Sequence, residues 1–291
     1  MARRIEESEL IINKDGSIFH LQLKPGELAD NIILVGDPGR VETVVSFFDT
    51  VELERRNREF VSVTGTYKRK RFSVVATGIG TDNIDIVVNE LDALVNVDFK
   101  TRTVKQVLKS LNLVRIGTSG SLQKDLPVDS CLLSKKAIGF DGLLNFYAGR
   151  DEVVDLDFEQ QFKEGLNWNP LLASPYVVDA SSELLDELSV NGFHQGVTIS
   201  APGFYGPQGR IIRLGIQDVD INEKISNFRH DQHRITNYEM ECSAIYGLSK
   251  LLGHNAATVC AIIANRKAGE YSNDYKPVMK DLIEKVLDSL V

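Results

Sequence analysis

Two arginines stand in glycine-rich segments whose composition suits the binding of an oxyanion. The segments are Gly36-Asp37-Pro38-Gly39-Arg40 and Arg115-Ile116-Gly117-Thr118-Ser119-Gly120. The first follows a short apolar run, and the second begins within one. Glycine lets backbone N–H groups approach an anion closely, and arginine offers a planar pair of donors that matches phosphate. Taken singly, each segment is better explained as a surface turn, with Pro38 opening a helix. Taken together, they favour an anion site.

A second kind of chemistry is suggested by the segment Phe204-Tyr-Gly-Pro-Gln208-Gly-Arg210, which follows an apolar run. The segment combines an aromatic ring with an amide and a guanidinium. An amide can donate and accept hydrogen bonds at once, whereas arginine only donates. This set suits the O2–N3–O4 edge of a uracil ring, with Phe204 stacking on the ring. A glycine-rich loop with a solvated arginine explains the same residues, and the spacing alone narrowly favours that explanation.

Two carboxylates flank a methionine in Asn237-Tyr-Glu239-Met240-Glu241, a segment that the following apolar periodicity places at the start of a helix. Such a pair of carboxylates could bind the hydroxyl groups of a sugar. The alternative is an acidic first turn that the helix dipole stabilises, which is a common arrangement. The sequence alone leaves both explanations open.

Other kinds of site find less support. His230 and His233 stand three residues apart, but no third ligand accompanies them, so no metal site is expected. The segment Thr77-Gly-Ile-Gly80 begins like a dinucleotide-binding fingerprint, but Asn83 occupies the place of the third glycine, so a tight turn before a helix is the better explanation. The three cysteines have no spacing typical of a zinc site or a disulfide framework, which favours a reducing compartment.

The charge and hydropathy of the chain restrict its partners. The protein has 291 residues, a net charge of −8 and a pI near 5.3. A field of that sign does not attract nucleic acid or anionic lipid, so an anionic substrate needs a local cationic pocket. No apolar stretch approaches the roughly 20 residues of a membrane-spanning helix, and no apolar run follows the N-terminal charges as in a secretory signal. We therefore expect a cytoplasmic protein.

Short apolar runs alternate with helical periodicity along the chain, and the runs suit strands that are buried on both faces. This alternation predicts an α/β fold, namely a single domain over residues 1–291 with a central sheet flanked by helices on both faces. The acidic stretch of residues 150–175 is interpreted as a surface excursion. The predicted strands are Asn31–Val35, Phe72–Ala76, Leu113–Ile116, Val197–Ser200 and Ala257–Ala264. The predicted helices lie around Val41–Phe48, Ile84–Val95, Met240–Leu252 (ending near Gly253) and Pro277–Leu290.

These segments also occur in an order known from one family. The chain resembles the uridine phosphorylases of the nucleoside phosphorylase family over nearly its whole length, and the Phe-Tyr-x-x-Gln-x-Arg segment is typical of the branch that binds uracil. The resemblance implies a nucleoside phosphorylase-like fold with a central mixed β-sheet. The matching segments are Phe19–Leu21, Gly36–Arg40, Arg58–Phe60, Thr77–Gly80, Arg115–Gly120, Phe204–Arg210, Asn237–Glu241 and Ile263–Arg266.

The resemblance implies a role for each matching residue. Phosphate would be bound by Gly36, Arg40, Arg115 and Thr118, and by Arg58 of a neighbouring subunit. The ribose would be bound by Glu239, Met240 and Glu241, and its 5′-hydroxyl would be reached across the interface by His20. The base would be bound by Phe204, Gln208, Arg210 and Ile263. The catalytic groups would be Arg115, Gln208, Arg210 and Glu241.

The implied reaction is the phosphorolysis of uridine to uracil and ribose 1-phosphate by a pentosyltransferase that needs no cofactor, with inorganic phosphate as co-substrate. Purine-cleaving relatives carry an aspartate where this chain has Asn265-Arg266, which favours a pyrimidine base. The family also implies a homo-oligomer, either a dimer or a hexamer. The alternatives are a purine nucleoside phosphorylase or a nucleoside hydrolase on the same fold, and a non-catalytic nucleoside-binding protein.

A structural potassium ion is a further feature of some relatives, which bind it at the dimer interface near the position of Glu59. In this chain Thr81-Asp82-Asn83 replaces the Gly-Pro-Ser that usually follows the Thr77–Gly80 segment. A potassium site is therefore not assumed.

Overall fold

A computed structural model describes residues 3–291, and one large sheet of twelve strands runs through it. No helix of this range is both long and apolar enough to cross a membrane. The strands are β1 (Asn31–Val35), β2 (Thr50–Asn57), β3 (Phe60–Tyr67), β4 (Lys70–Ala76), β5 (Val97–Asp98), β6 (Thr103–Val104), β7 (Asn112–Ser121), β8 (Cys131–Gly139), β9 (Tyr176–Asp179), β10 (His194–Ser200), β11 (Arg229–His230), β12 (His233–Glu239), β13 (Asn255–Asn265) and β14 (Glu270–Tyr271). The helices are α1 (Pro38–Val45), α2 (Thr81–Asn96), α3 (Arg150–Val153), α4 (Leu156–Leu166), α5 (Ser182–Ser189), α6 (Ile221–Asn227), α7 (Cys242–Leu252) and α8 (Lys276–Ser289).

The sheet contains both parallel and antiparallel pairs. Ten of its strands follow the order β11-β12-β10-β8-β13-β7-β1-β4-β3-β2, while β9 pairs with β8 and β14 with β13 beside this path. β1 runs parallel to β4 and β7, and β7 runs parallel to β13, so the carboxyl ends of these strands meet at one edge. β12 also pairs with the end of β7, where Asn237 lies opposite Ser121 and Tyr238 opposite Gly120. This second pairing brings the end of β12 to the same edge. The predicted α/β class with a central mixed sheet is confirmed.

Helices cover both faces of the sheet, as the alternation of elements predicts. Ile32 and Leu34 of β1 belong to a core cluster with α2 and α7, whereas Ile33 and Val35 belong to a cluster with α1, α5 and α8. All four side chains are fully buried. Because neighbouring residues of a strand point to opposite faces, a continuous apolar run fits a strand that is covered on both sides.

The segment predicted as a turn after Ile116 is instead part of β7, which continues to Ser121. β13 pairs with β7 along this segment, and β12 pairs with its last two residues. The Gly-Thr-Ser-Gly composition is typical of a turn, but pairing with neighbouring strands outweighs that local preference. The glycines therefore lie inside the sheet, and the predicted turn is wrong.

The segment predicted to open a helix instead ends a strand. Asn237, Tyr238 and Glu239 are the last residues of β12, and α7 begins at Cys242. The periodicity that predicts the helix is present, but Met240 and Glu241 form a link before it rather than its first turn. The predicted end of the helix is confirmed, since Gly253 follows α7 in the left-handed conformation that favours glycine.

Residues 150–175 are not merely a surface excursion, because helix α4 contributes to the core. Phe158, Phe162 and Leu166 lie four residues apart on α4 and are buried in a third core cluster. Asp155 accepts a hydrogen bond from the backbone N–H of Phe158 and so caps the helix. Most of the acidic residues of this stretch are exposed or half-buried, and their number conceals the helical apolar periodicity in the sequence.

Candidate active site

A cavity of about 890 Å³ opens where the ends of β1, β7, β12 and β13 meet. Ligands of open α/β sheets commonly bind beyond the carboxyl ends of strands, so this is the expected place for a site. His20 and Arg58 do not line this cavity in their own chain. The other predicted site residues do line it, and they are Gly36, Arg40, Arg115, Thr118, Phe204, Gln208, Arg210, Glu239, Met240, Glu241 and Ile263.

Arg115 is a buried cation in the wall of the cavity. Its Nη2 donates a hydrogen bond to Glu241, and its Nη1 lies 3.3 Å from Oε2 of Glu239. Burial lowers the pKa of this guanidinium, but the attraction of the two carboxylates outweighs burial and holds the pKa above its ordinary value. The group therefore stays charged. Its Nε is buried and has no hydrogen-bond partner among residues 3–291, so the guanidinium is held through its two terminal nitrogens.

Glu239 is fixed by the start of helix α7. Its carboxylate accepts hydrogen bonds from the backbone N–H of Glu241 at 2.8 Å and of Cys242 at 3.0 Å, and from the hydroxyl of Ser200. The side chain is only 1% exposed. Burial raises the pKa of Glu239 to about 7, although Arg115 opposes this rise. The carboxylate therefore holds the short link between β12 and α7 in place.

The raised pKa of Glu239 predicts a change of stability with pH near neutrality. A carboxyl group with a higher pKa in the folded protein stabilises the fold fully below its unfolded pKa of 4.5, and this contribution is lost as the pH rises through about 7. Between about pH 5 and pH 8, the free energy of unfolding of the wild type should fall by up to about 3 kcal/mol relative to that of Glu239→Gln. Urea unfolding of both proteins across this range measures the difference, and a constant difference would contradict the prediction.

Glu241 is held from two sides. One carboxylate oxygen accepts a hydrogen bond from the backbone N–H of Gly80 at 2.7 Å, and the other accepts from Arg115. Gly80 has a φ of +99°, a conformation that side chains other than glycine rarely adopt. The turn between β4 and α2, which begins like a dinucleotide fingerprint, therefore positions a carboxylate of the cavity. The sequence does not reveal this role, because the turn and the carboxylate are far apart in the chain.

A second guanidinium reaches the cavity from the start of α1. Nη1 of Arg40 donates a hydrogen bond to the main-chain oxygen of Ile116 at 3.2 Å, which fixes the side chain beside β7. Burial and the charge of Arg115 lower the pKa of Arg40. Two like charges that repel each other in one cavity are stabilised by an anion bound to both. With Gly36 and Thr118 also in the wall, this part of the cavity suits an oxyanion.

Another part of the cavity contains an amide held between two guanidinium groups. Oε1 of Gln208 accepts hydrogen bonds from Arg210 at 2.7 Å and from Arg266 at 2.8 Å. Burial and the charge of Arg210 lower the pKa of Arg266 to about 10. Since its carbonyl oxygen is occupied, Gln208 presents N–H donors to the cavity. These three side chains therefore suit the edge of a ligand that is rich in acceptors or in negative charge.

Arg266 is a candidate that the sequence interpretation missed. In the sequence, Arg266 is noted only as part of Asn265-Arg266, which stands where purine-cleaving relatives carry an aspartate. Its position directly after a buried strand was a signal for the site. Its Cζ lies 5.0 Å from the ring centre of Tyr238, and it also donates to the main-chain oxygen of Gln208. The amide of Asn265 instead donates to the main-chain oxygens of Gln123 and Leu126. Of Asn265 and Arg266, it is therefore the guanidinium of Arg266 that takes part in the hydrogen bonding around Gln208.

Phe204 is half exposed at the edge of the cavity, and one face of its ring is covered. Cζ of Arg210 lies 3.7 Å from the centre of the ring, which is a close cation–π contact. Phe204 thus supports the guanidinium next to Gln208. The predicted stacking of a base on Phe204 would have to use the other face of the ring.

His20 and Arg58 lie together on a face outside the cavity of their own chain. Arg58 follows β2 in an exposed turn, and its Cζ is 6.0 Å from the ring centre of Phe19. Nδ2 of Asn57 donates to the main-chain oxygen of His20 at 2.9 Å, and Nδ1 of His20 lies 2.6 Å from Glu90. The structure therefore brings the two residues together, but does not bring them to the other site residues.

The pair of histidines singled out in the sequence packs against an aromatic ring. The centres of the His230 and His233 rings lie 4.5 Å and 6.2 Å from that of Phe158, and both pairs are stacked. Within the described part of the chain, no group of three His, Cys, Asp or Glu side chains is arranged to hold a metal ion.

Comparison with known proteins assigns the chain to a family. The sequence profile described as the Phosphorylase superfamily matches residues 30–290. The chain belongs to the phosphorylase superfamily. This phosphorylase is 29% identical to the uridine phosphorylase of Thermococcus kodakarensis, over 93% of this chain and 86% of that protein. It is also 29% identical to the DeoD-type purine nucleoside phosphorylase of Bacillus cereus, over 94% of this chain and 98% of that protein.

A solved structure shows the same fold. The nucleoside phosphorylase of Trypanosoma brucei, whose crystal structure is described as showing uridine phosphorylase activity, is similar to this phosphorylase with a TM-score of 0.88 and 28% identity. The similarity covers 97% of this chain and 99% of that one. The predicted resemblance to the nucleoside phosphorylases is therefore confirmed. Because relatives of both base classes are equally identical in sequence, the residues of the cavity must indicate which base this phosphorylase binds.

Proposed function

We propose that this phosphorylase cleaves uridine with inorganic phosphate to give uracil and ribose 1-phosphate. The observation that carries the proposal is the amide of Gln208 held between Arg210 and Arg266, in the same cavity as Arg40 and Arg115. Gln208, Arg210 and Arg266 match the acceptor-rich edge of a uracil ring. Arg40 and Arg115 match a phosphate. The uridine phosphorylases among its relatives support the same reaction.

The proposed mechanism stabilises charge at both ends of the breaking bond. As the C1′–N1 bond of uridine breaks, positive charge develops on the ribose and negative charge on the uracil. Phosphate held by Arg40 and Arg115 stabilises the cationic sugar and then forms the new bond to C1′. Arg210, Arg266 and the N–H groups of Gln208 stabilise the departing uracil anion, which takes a proton from solvent. Fixed donors aimed at developing charge are often the largest contribution to catalysis.

The ribose is proposed to lie between these two groups, against the link that joins β12 to α7. Glu241 is placed to accept a hydrogen bond from the 2′-hydroxyl, since it lies beside Arg115 and lines the cavity. Met240 lines the cavity next to it and would contact the sugar, while Glu239 keeps the link in position. Ile263 at the end of β13 would contact the base. No cofactor takes part in these steps.

The assembly is proposed to be a homo-oligomer of this single-domain chain, located in the cytoplasm. His20 and Arg58 would then act in the cavity of a neighbouring copy, on the ribose 5′-hydroxyl and the phosphate. Their common location outside their own cavity supports this, because both could cross one interface together.

Coexpression of two inactive variants tests whether Arg58 acts across an interface. A subunit with Arg58→Ala lacks this arginine, and a subunit with Arg210→Ala lacks the base-binding one. In a mixed dimer with shared sites, one of the two sites is intact, so random pairing should restore about a quarter of the wild-type activity. The matched control is Arg115→Lys with Arg210→Ala, which leaves no intact site in any pairing. If the first pair stays as inactive as the control, Arg58 acts in its own chain or not at all.

The proposed reaction is tested by following the cleavage of uridine, thymidine and inosine by ultraviolet absorbance, each with and without phosphate. We expect uridine to be cleaved only when phosphate is present. Cleavage without phosphate would indicate a hydrolase, and faster cleavage of inosine would indicate a purine enzyme. Saturable uridine binding without any turnover would indicate a binding protein. Each of these three results would overturn the proposal.

A further inference from the structure

The guanidinium of Arg115 lies over two neighbouring buried residues, Gly117 of β7 and Cys260 of β13. The two residues are paired in the parallel register of these strands. We infer that Gly117 and Cys260 are positioning residues, which together form a floor that orients Arg115 toward phosphate. The inference rests on the proposed function in one respect, because it takes the oxyanion at Arg115 to be phosphate.

Gly117 provides the space that the guanidinium occupies. A Cβ atom at this position would lie 2.0 Å from Nη1 and 2.7 Å from Cζ of Arg115, far inside any allowed contact. The residue is buried within a strand, so the neighbouring backbone cannot easily move aside. Gly117, which the sequence suggested as part of a turn, is therefore required because the side chain of Arg115 occupies the space where a Cβ atom would lie.

Cys260 supplies a hydrogen-bond acceptor on the same floor. Its Sγ accepts a hydrogen bond from Nη1 of Arg115 at 3.3 Å, and the residue is fully buried. Burial raises the pKa of this thiol to about 11, although Arg115 opposes the rise, so the thiol is neutral at physiological pH. A neutral acceptor can orient the guanidinium without adding a third negative charge to Glu239 and Glu241, where a phosphate dianion must bind.

The contacts of Arg115 show how its guanidinium is held on this floor. Nη1 is engaged by Cys260 and lies near Glu239, and Nη2 donates to Glu241. Nε is buried and has no partner among residues 3–291. Fixing the two terminal nitrogens therefore fixes the plane of the guanidinium in the wall of the cavity. Without the sulfur, the guanidinium would keep its charge but lose one of the contacts that set its orientation.

Three substitutions at Cys260 distinguish the effect of the hydrogen-bond acceptor from the effect of side-chain size. Cys260→Ala is smaller than cysteine and Cys260→Val is larger, and both lack an acceptor, whereas Cys260→Ser keeps one. We expect the alanine and valine variants to raise the KM for phosphate about fivefold, with less than about a twofold change in the KM for uridine. Serine should restore the KM for phosphate to within about twofold of the wild type. Cys131→Ala, which changes a cysteine outside the cavity, should leave both KM values unchanged.

Phosphate binding is also measured without any nucleoside, through the rise in melting temperature on addition of phosphate alone. The wild type and Cys260→Ser should be stabilised at lower phosphate concentrations than the alanine and valine variants. Equal phosphate affinity in the wild type and either folded variant without an acceptor would overturn the role of Cys260, even if uridine is not the substrate. If phosphate does not stabilise the wild type at all, the phosphate site of the proposed function is wrong, and this inference is overturned with it.

Discussion

Replacing Arg115 by lysine should lower kcat/KM for the phosphorolysis of uridine by about 10²–10³, while the protein remains folded. Lysine keeps a positive charge between Glu239 and Glu241, so the buried carboxylates still have a partner. It cannot reproduce the planar fork of the guanidinium, whose five N–H donors can serve the carboxylates and a phosphate together. Steady-state rates at varied phosphate measure the effect, which should appear as a loss of phosphate saturation together with a loss of kcat.

A surface arginine provides the matched control for this substitution. Arg234 is paired with Asp125 away from the cavity and is half exposed, so Arg234→Lys should leave the kinetics unchanged. Arg115→Met should, in addition, destabilise the protein by about 3–5 kcal/mol, because it leaves buried carboxylates without a cation. Arg115→Lys with the phosphate saturation of the wild type would show that the oxyanion binds elsewhere.

Replacing Arg210 by alanine should lower kcat for uridine by about a hundredfold and leave phosphate binding intact. The substitution removes one of the two guanidinium groups on Gln208 and so weakens the stabilisation of the uracil anion as it leaves. Arg115 and Arg40 do not contact this residue, so phosphate alone should raise the melting temperature of the variant as much as that of the wild type.

The control for Arg210 is Arg213, which lies three residues further along the same loop, is exposed and does not line the cavity. Arg213→Ala should retain the kinetics of the wild type. A comparison of uridine with inosine sharpens the test, because a donor that serves the uracil edge should affect uridine most. Full activity of Arg210→Ala on uridine would remove the proposed base site.

The central strands and most of the cavity residues could be predicted because their signals are local. Asn31–Val35 is a strand at the predicted residues, since its run of apolar side chains fits a position covered on both faces. Gly36 could be predicted as a cavity residue for a related reason, because it directly follows β1 and strand ends in such a sheet gather at one edge. The same local reasoning failed for Gly117–Gly120 and for Asn237–Glu241, where pairing with distant strands overrode turn and helix preferences.

The sequence by itself thus determined the α/β class, the central strands and the residue types that the cavity gathers. Only the tertiary structure decided which charges meet there. Arg115 and Glu241 are 126 residues apart in the chain, and Glu241 and Gly80 are 161 apart. Periodicity and turn composition describe interactions between residues a few positions apart. Contacts such as these depend instead on the order and register in which the strands pair, and no local pattern of residues specifies that order.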